Sequence, residues 1–249
     1  MKQSVKLIAG NWKMNGLAAS LAEVEALRRA LDEDPAACRV ALCPPATLIE
    51  RMAAAVQGGV IEVGGQDCRA ETHGAYTGGV SAEMLKDAGA GLVIVGHSER
   101  RQEFGETDLL VSAKAEAAVR AGLTPIVCVG ETLQQREAGR AVEIVRGQVM
   151  NSLPQAVTGR DFAVAYEPVW AIGTGLTPTL EQIEEVHRAV RAAKLERLGL
   201  ASAAAPILYG GSVKADNARD ILAVPEVGGA LVGGASLKAA DFLPIIRAA

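Results

Sequence analysis

The pattern that organises the fold lies in residues 162–175, which read Phe162-Ala163-Val164-Ala165-Tyr166-Glu167-Pro168-Val169-Trp170-Ala171-Ile172-Gly173-Thr174-Gly175. An apolar, strand-like run ends at Tyr166 and leaves the carboxylate of Glu167 at its carboxyl end. Pro168 fixes its own φ and keeps Glu167 out of the helical region. The loop that follows is apolar, although surface loops carry Trp and Ile mainly where they cover something. We therefore predict a strand that ends in a carboxylate, with residues 168–175 forming a lid beside it.

The composition indicates a globular chain with a large core. Of the 249 residues, 49% are hydrophobic and 22% are charged. The formal charge of −4 and the aromatic content of 3% argue against a nucleic-acid groove. The sequence shows no secretion signal and no apolar run of membrane-spanning length. The four cysteines lack metal-ligand spacing and indicate reduced thiols. We expect a cytoplasmic protein that binds no metal, nucleic acid or membrane.

Eight short apolar runs alternate with segments of helical period. The runs cover residues 5–10, 39–43, 60–65, 91–96, 124–129, 161–166, 206–210 and 229–233. In the first helical segment, residues 17–31, the apolar stripe contains Leu17, Leu21, Val24, Leu27 and Leu31. The composition does not change along the chain, so we predict a single α/β domain over residues 1–249, a closed (β/α)8 TIM barrel. The alternative, an open doubly wound sheet, would normally carry a glycine-rich nucleotide turn after its first strand, and no such pattern occurs here.

Two of the helices are predicted to begin at capping boxes, Thr132 with Gln135 and Thr179 with Gln182. In such a box the Thr side chain bonds a backbone N–H three residues on, and the Gln side chain bonds back. Gly199 stands where the second of these helices would end. A last helix is expected within residues 237–247.

Polar residues or glycines follow the carboxyl ends of five runs. In a parallel barrel these ends share one face, so residues that are distant in sequence converge there. The residues are Asn11 and Lys13 after the first run, His97 and Glu99 after the fourth, Glu167 after the sixth, Gly211 and Ser212 after the seventh, and Gly233 with Gly234 at the eighth. The sequence therefore predicts one site at this face.

Each of these residues alone also fits a plain structural role. Lys13 fits a solvated surface charge, and His97 fits a hydrogen-bonded residue behind a strand. Glu167 fits a strand end, and the glycine pairs fit simple turns. Their joint occurrence weakens that interpretation, because five strand ends would have to present a cation, an imidazole, a carboxylate and two glycine turns by accident.

The combination suits proton transfer beside a carbonyl on a small phosphate ester. Glycine turns after the last two strands let backbone N–H groups approach an anion closely. Glu167 could remove a proton from carbon, His97 could polarise the carbonyl, and Lys13 would favour the charge of a developing enediolate. The sequence carries no nicotinamide fingerprint, and we expect no cofactor.

These motifs resemble those of the triosephosphate isomerase family over nearly the whole chain. The similar runs are Gly10-Asn11-Trp12-Lys13, Gly96-His97-Ser98-Glu99-Arg100-Arg101, residues 165–175, Tyr209-Gly210-Gly211-Ser212-Val213 and Gly233-Gly234-Ala235-Ser236. The family interconverts dihydroxyacetone phosphate and glyceraldehyde 3-phosphate, in glycolysis and gluconeogenesis, without a cofactor. The resemblance implies a triose phosphate as the substrate of this chain.

The resemblance also implies a role for each site residue. Glu167 would be the catalytic base and His97 a neutral electrophile. Lys13 and Asn11 would stabilise the charge of substrate and enediolate, and Glu99 would support the site beside His97. Phosphate would be bound by backbone N–H groups of Gly173, Ser212, Gly233 and Gly234.

The same resemblance implies a function for the lid. An enediolate phosphate can lose its phosphate in water, and a closed lid over residues 169–174 would exclude that water. Pro168 would form one hinge of the lid, and residues 176–178 would form the other.

Members of the family are usually homodimers, in which a loop after the third strand enters the partner subunit. In this chain the loop covers residues 73–81, and Thr77 would approach the neighbouring site. Gly79 replaces an acid that the family commonly pairs with a partner arginine, corresponding here to Arg100. We therefore predict a homodimer with a somewhat weakened interface, in which Glu106 of the same subunit is the expected partner of Arg100.

A second departure from the family pattern is Gly228. The family often has Asp at this position, and the resemblance would pair that Asp with Arg191. The sequence leaves the partner of Arg191 open.

Three other functions remain as alternatives. A sugar-phosphate epimerase commonly needs a metal cluster, and a Schiff-base aldolase needs a lysine inside the barrel, for which Lys13 is the candidate. A non-catalytic phosphate-binding barrel is the third, although it would have no need of Lys13, His97 and Glu167 together.

Overall fold

The computed structural model describes residues 5–174 and 176–249. Within these residues the strands are β1 Leu7–Asn11, β2 Arg39–Cys43, β3 Ile61–Gly65, β4 Leu92–Val95, β5 Thr124–Val129, β6 Ala163–Tyr166, β7 Ile207–Tyr209 and β8 Gly229–Val232. All are parallel and form one closed barrel in sequence order, with β8 paired to β1. Each strand overlaps one of the eight predicted runs, and the predicted TIM barrel is confirmed.

The helices lie outside the barrel. In the described part of the chain they are α1 Leu21–Glu33, α2 Ile49–Val56, α3 Ala82–Asp87, α4 Ser98–Phe104, α5 Asp108–Arg120, α6 Leu133–Glu137, α7 Ala141–Ser152, α8 Leu180–Leu198, α9 Ala218–Ala223 and α10 Ala239–Arg247. None of these described helices has the length and apolar character needed to cross a membrane.

Strand residues alternate between two cores, because successive side chains point to opposite faces of a strand. In β1, Leu7 and Ala9 face the barrel interior, whereas Ile8 packs toward the helices. Aliphatic residues and cysteines fill the interior, including Leu92, Ile94, Ile126, Cys128, Ala163, Ala165 and Leu208. Both faces of the strands are buried, so the polar residues of the site are confined to the strand ends.

Helix α1 begins later than the apolar stripe predicted. Val24, Leu27 and Leu31 are buried as expected, but Leu17 is 79% exposed and lies before the helix. The cause is a 3-10 turn that precedes α1, which Ser20 closes by accepting a hydrogen bond from the Leu17 N–H at 3.1 Å. This local side-chain bond competes with helix extension, so Leu17 is left in water.

Both predicted capping boxes are present. The Thr132 hydroxyl accepts the Gln135 N–H at 3.3 Å, and the Gln135 side chain accepts the Thr132 N–H at 2.9 Å. Thr179 and Gln182 make the same pair of bonds at the start of α8. Gly199 ends α8 with φ of 70°, a backbone region that glycine enters without the steric cost of a Cβ.

Candidate active site

Glu167 lies directly after β6, at the carboxyl end of the barrel. Its backbone N–H donates to the Val129 carbonyl of β5 at 2.8 Å, which extends the strand pairing by one residue. Two glycines make room for it: a Cβ at position 130 would lie 1.8 Å from the Glu167 carbonyl oxygen, and one at 210 would lie 2.9 Å from its Cγ. The side chain is almost fully buried. Its place in the site therefore depends on Gly130 and Gly210, which sequence reasoning missed.

The Glu167 carboxylate is held by groups at the end of β4. It accepts the Ser98 N–H at 2.9 Å and lies 2.8 Å from Nε2 of His97. The Ser98 hydroxyl donates at 3.4 Å to Glu167 Oε1, the carboxylate oxygen that also faces His97. Ser98 was absent from the predicted site, although its place beside His97 at the start of α4 was a usable signal.

His97 caps α4 with its own ring. Its Nδ1 accepts the Glu99 N–H at 3.3 Å, so Nδ1 carries no proton in this contact, and the ring hydrogen belongs on the Nε2 that faces Glu167. Burial lowers the pKa of His97, but the adjacent Glu167 carboxylate outweighs burial and raises it above the usual value. Burial likewise raises the pKa of Glu167, yet His97 and the Ser98 N–H lower it below the ordinary range.

Lys13 and Asn11 follow β1 and face the same cavity. Lys13 has φ of 52°, an unusual conformation for a residue with a side chain, and its backbone N–H donates to Asn11 Oδ1 at 3.0 Å. Its ammonium group lies 2.5 Å from Glu99 Oε1. Gln66 donates from Nε2 to the Lys13 carbonyl and the Cys43 carbonyl, both at 2.8 Å. Gln66 follows β3 directly, so the strand-end rule could have found it.

The predicted phosphate-binding residues line the same cavity. Gly233 follows β8 and Gly234 opens a 3-10 turn, while Ser212 follows β7 and donates its hydroxyl to the Ala171 carbonyl at 3.0 Å. A cavity of about 350 Å³ joins these groups, lined by Asn11, Lys13, His97, Glu167, Ile172, Gly173, Ser212, Gly233 and Gly234 among others. The structure thus brings the predicted residues of five strand ends to one space.

Residues 168–174 of the predicted lid lie beside that cavity. The Trp170 indole donates to Glu131 Oε1 at 2.9 Å, and the Thr174 hydroxyl donates to the Trp170 carbonyl at 2.8 Å. Pro168, Val169 and Ala171 complete the short turn that carries Trp170. Gly175, the last residue of the predicted lid, lies outside the described residues.

Glu131 anchors this arrangement of the lid. It is fully buried after β5, where Arg136 pairs with it at 2.7 Å and the Tyr166 hydroxyl donates to it at 3.1 Å. Sequence reasoning missed Glu131 as well, and its position at a strand end was again the available signal.

The structure also answers the two questions raised by Gly79 and Gly228. Arg100 pairs with Glu106 at 2.6 Å, as expected, and also with Asp67 at 2.9 Å. Arg191 pairs with Glu226 at 2.7 Å, and its guanidinium donates to the Ala203 carbonyl at 2.7 Å. A carboxylate two residues before Gly228 therefore takes the place of the missing acid.

Within residues 5–174 and 176–249, no three His, Cys, Asp or Glu side chains gather in a way that could hold a metal ion. The four cysteines are free thiols. A larger cavity of about 580 Å³ lies beside the loop that follows β3. The smaller cavity is the candidate active site, because Lys13, His97 and Glu167 line it together with the glycine turns.

Comparison with known proteins agrees with this geometry. The family model described as triosephosphate isomerase matches residues 6–249. The triosephosphate isomerase of Caulobacter vibrioides is 60% identical over 242 residues, covering 97% of this chain and 96% of that protein. That of a Ruegeria species is 59% identical over 243 residues, covering 98% and 97%. The crystal structure of triosephosphate isomerase from Bartonella henselae superposes with a TM-score of 0.91 at 44% identity, covering 98% of both chains. This chain therefore belongs to the triosephosphate isomerase family.

Proposed function

We propose that this chain interconverts dihydroxyacetone phosphate and D-glyceraldehyde 3-phosphate by cofactor-free proton transfer through an enediolate. The observation that carries the proposal is the single cavity lined by Lys13, His97, Glu167 and glycine turns. Together these groups can hold a phosphate, polarise a carbonyl and accept a proton from the neighbouring carbon. Membership of the family supports the same reaction.

Glu167 is the proposed base, and it must move before it can act. Its carboxylate is occupied by the Ser98 N–H and by His97, and both contacts lower its pKa. A substrate that takes over the Nε2 hydrogen of His97 would release the carboxylate toward the cavity. Glu167 would gain basicity by losing these partners, because hydrogen bonds to a carboxylate favour its charged form.

His97, Lys13 and Asn11 are proposed to stabilise the enediolate. The Nε2 hydrogen of His97 points into the site and can donate to a carbonyl oxygen, then serve in proton exchange between oxygens. Lys13 supplies the positive charge that favours the developing oxyanion. Asn11 supports the backbone of Lys13 through a 3.0 Å bond, and Glu99 holds the ammonium group from the other side.

Backbone N–H groups of Gly173, Ser212, Gly233 and Gly234 are proposed to bind the phosphate. Glycine lets the backbone approach an anion closely, since no Cβ intervenes. Gly173 belongs to the lid, so phosphate binding would draw residues 168–175 over the site. The bond from the Trp170 indole to the buried Glu131 would anchor the first half of this segment.

The proposal extends to the biological setting. We infer a role in glycolysis and gluconeogenesis, a cytoplasmic location, a homodimeric state, and one domain over residues 1–249. The larger cavity of about 580 Å³ beside the exposed loop after β3 supports a partner at that face. The alternative functions, an epimerase, an aldolase or a non-catalytic barrel, have no separate observation in their favour.

A coupled assay with glyceraldehyde 3-phosphate tests the function. The wild-type chain is expected to produce dihydroxyacetone phosphate without an added metal or cofactor. Glu167→Gln should lower kcat by about 10²–10⁴-fold, because it removes the general base. Glu143→Gln, on an exposed glutamate of α7 that pairs with Arg140, serves as the matched control and should leave turnover unchanged.

Two results would contradict the proposal. Near-normal turnover by Glu167→Gln would remove this residue from the base role. A covalent adduct on Lys13 after borohydride treatment with substrate would instead identify a Schiff-base aldolase.

A further inference from the structure

The loop after β3 keeps a defined shape although it projects into solvent. Every residue from 72 to 79 is exposed, so the barrel core does not hold the loop. Its turn is closed by the Gly79 N–H, which donates to the Tyr76 carbonyl at 2.8 Å. At its base the Arg69 N–H donates to the Val80 carbonyl at 2.8 Å. Because a projecting loop of this kind gains little from burial, its order must come from contacts within it.

Arg69 supplies those contacts with its side chain. The guanidinium carbon lies 4.0 Å from the centroid of the Tyr76 ring, a cation–π stack that joins the base of the loop to its tip. The guanidinium also pairs with both oxygens of Glu71, at 3.0 and 3.4 Å. We call Arg69, Glu71 and Tyr76 the loop brace.

The brace leaves room only for glycine at position 79. A Cβ there would lie 2.6 Å from Cδ of Arg69 and 3.0 Å from the Tyr76 carbonyl oxygen. At Gly74, a Cβ would lie 2.9 Å from the Tyr76 ring. A side chain at position 79 would therefore push Arg69 off the ring. Position 79 therefore lacks an acid for the same reason that the brace can form, because only glycine leaves Arg69 room to stack on Tyr76.

We propose that Arg69 positions residues 72–79 for docking against a second copy of this chain. The inference rests on the proposed homodimer and deepens it. A loop that is already ordered loses less conformational entropy on binding than a mobile one. The brace thus offsets part of what is lost with the ion pair that an acid at position 79 would make across the interface.

The surroundings of the loop favour a second copy as its partner. The cavity of about 580 Å³ is lined by Gly78, Gly79 and Val80 near the loop and by Arg100, Phe104 and Leu110 of α4 and α5. Phe104 is 64% exposed, which is unusual for a large apolar side chain beside a cavity. A projecting loop and a receiving cavity on the same face are what a twofold interface requires, since each copy can offer both.

Sedimentation velocity over a concentration series tests the role of Arg69. Arg69→Ala should raise the dimer dissociation constant by about fivefold, the scale of an exposed cation–π contact. Its thermal unfolding midpoint, measured at high dilution, should stay that of the wild type, because Arg69 acts on the loop and not on the barrel. Arg188→Ala, on an exposed arginine of α8 that pairs with Glu184, is the matched control and should change neither quantity.

A double-mutant cycle isolates the contact between positions 69 and 79. Gly79→Ala should weaken the dimer in the wild-type background, because its Cβ displaces Arg69. In the Arg69→Ala background the same substitution should cost clearly less, since the displaced side chain is gone. Hydrogen exchange of the Gly79 N–H should accelerate in each single variant.

The outcomes separate the inference from the homodimer itself. A dimer that is weakened by Arg69→Ala, with non-additive effects at position 79, supports the inference. A wild-type dimer with an unchanged dissociation constant in Arg69→Ala overturns the inference and leaves the homodimer intact. A wild-type chain that stays monomeric throughout the series overturns both.

Discussion

His97 lies between a backbone donor and a carboxylate, and these two neighbours act on its charge in opposite ways. The Glu99 N–H requires an unprotonated Nδ1, whereas Glu167 favours the imidazolium and raises the pKa of His97. The neutral electrophile that the family resemblance implies therefore depends on where the carboxylate of Glu167 stands.

We predict that His97 is a neutral imidazole with its hydrogen on Nε2 once the charge of Glu167 is removed. In Glu167→Gln at pH 7, the ring nitrogen chemical shifts should show one protonated and one bare nitrogen. The pKa of His97 should also be lower in this variant than in the wild type. Two protonated ring nitrogens in the variant at neutral pH would contradict the prediction.

Lys194 is a second residue whose surroundings alter its charge. It is fully buried on α8, donates its ammonium group to the Ala205 carbonyl, and lies 5.7 Å from the Phe162 ring centroid. Burial, helped by the nearby charge of Arg191, lowers its pKa to about 7, although Glu226 opposes this. The unfolded chain keeps the ordinary, higher pKa.

The free energy of unfolding should therefore rise with pH above about 7. In that range the unfolded chain binds a proton that the folded chain has lost, which gives a slope of up to about 1.4 kcal/mol per pH unit from this group. Buried thiols such as Cys43, whose pKa is raised to about 12, act in the opposite sense above about pH 8.5. Thermal melts between pH 7 and 8.5 are the measurement, and Lys194→Met should flatten the slope. An equal slope in both proteins would exclude Lys194 as its source.

At the scale of elements, the predicted lid is held against the barrel by a few identifiable contacts. Trp170 bonds to the buried Glu131, and a short 3-10 turn carries it there. The apolar part of the lid ends at Ile172, which lines the cavity, and the proposed phosphate contact begins at Gly173. In the proposed mechanism this one short segment would both cover the site and bind the phosphate.

Deletion of residues 172–175 should change the products as well as the rate. Without the latch, water reaches the enediolate phosphate, which can then lose phosphate and form methylglyoxal. We expect isomerisation to fall by about 10²-fold or more, the scale for loss of a preorganised donor. Methylglyoxal should rise as a fraction of product. Unchanged product ratios in a folded variant, checked by circular dichroism, would count against the lid.

At the scale of the whole molecule, one face of the barrel suits assembly with a second copy. The face beside the loop after β3 exposes large apolar side chains and a cavity, which a stable monomer would normally cover. Arg100 is paired with Glu106 and Asp67 in the same chain, and position 79 has no acid to add a contact to it across an interface.

We predict a homodimer that dissociates more readily than one with an acid at position 79. Light scattering at micromolar concentration should give twice the monomer mass, and the mass should fall on dilution together with specific activity. A stable monomer with full activity at the same concentration would refute this prediction.

Sequence alone determined the barrel and predicted which strand ends meet in the candidate site. Apolar runs of strand length, separated by helical stripes and capping boxes, are local patterns, and they survive folding because backbone hydrogen bonding and burial act on them locally. The strand-end rule then placed Lys13, His97 and Glu167 on one face. Leu17 was the local failure, since a single hydrogen bond from its N–H to Ser20 prevailed over the stripe.

Tertiary structure alone decided which groups touch. The carboxylate of Glu167 meets Ser98 from a distant strand end, Gln66 supports Lys13, and Glu226 replaces the missing partner of Arg191. These contacts depend on distances of a few ångströms between segments far apart in the chain, and sequence periodicity carries no such information. The stretch from Phe162 to Gly173 shows both contributions. Its own residues determine a strand that ends in a carboxylate and predict a lid. The closed barrel then brings His97 to Glu167 and Glu131 to Trp170.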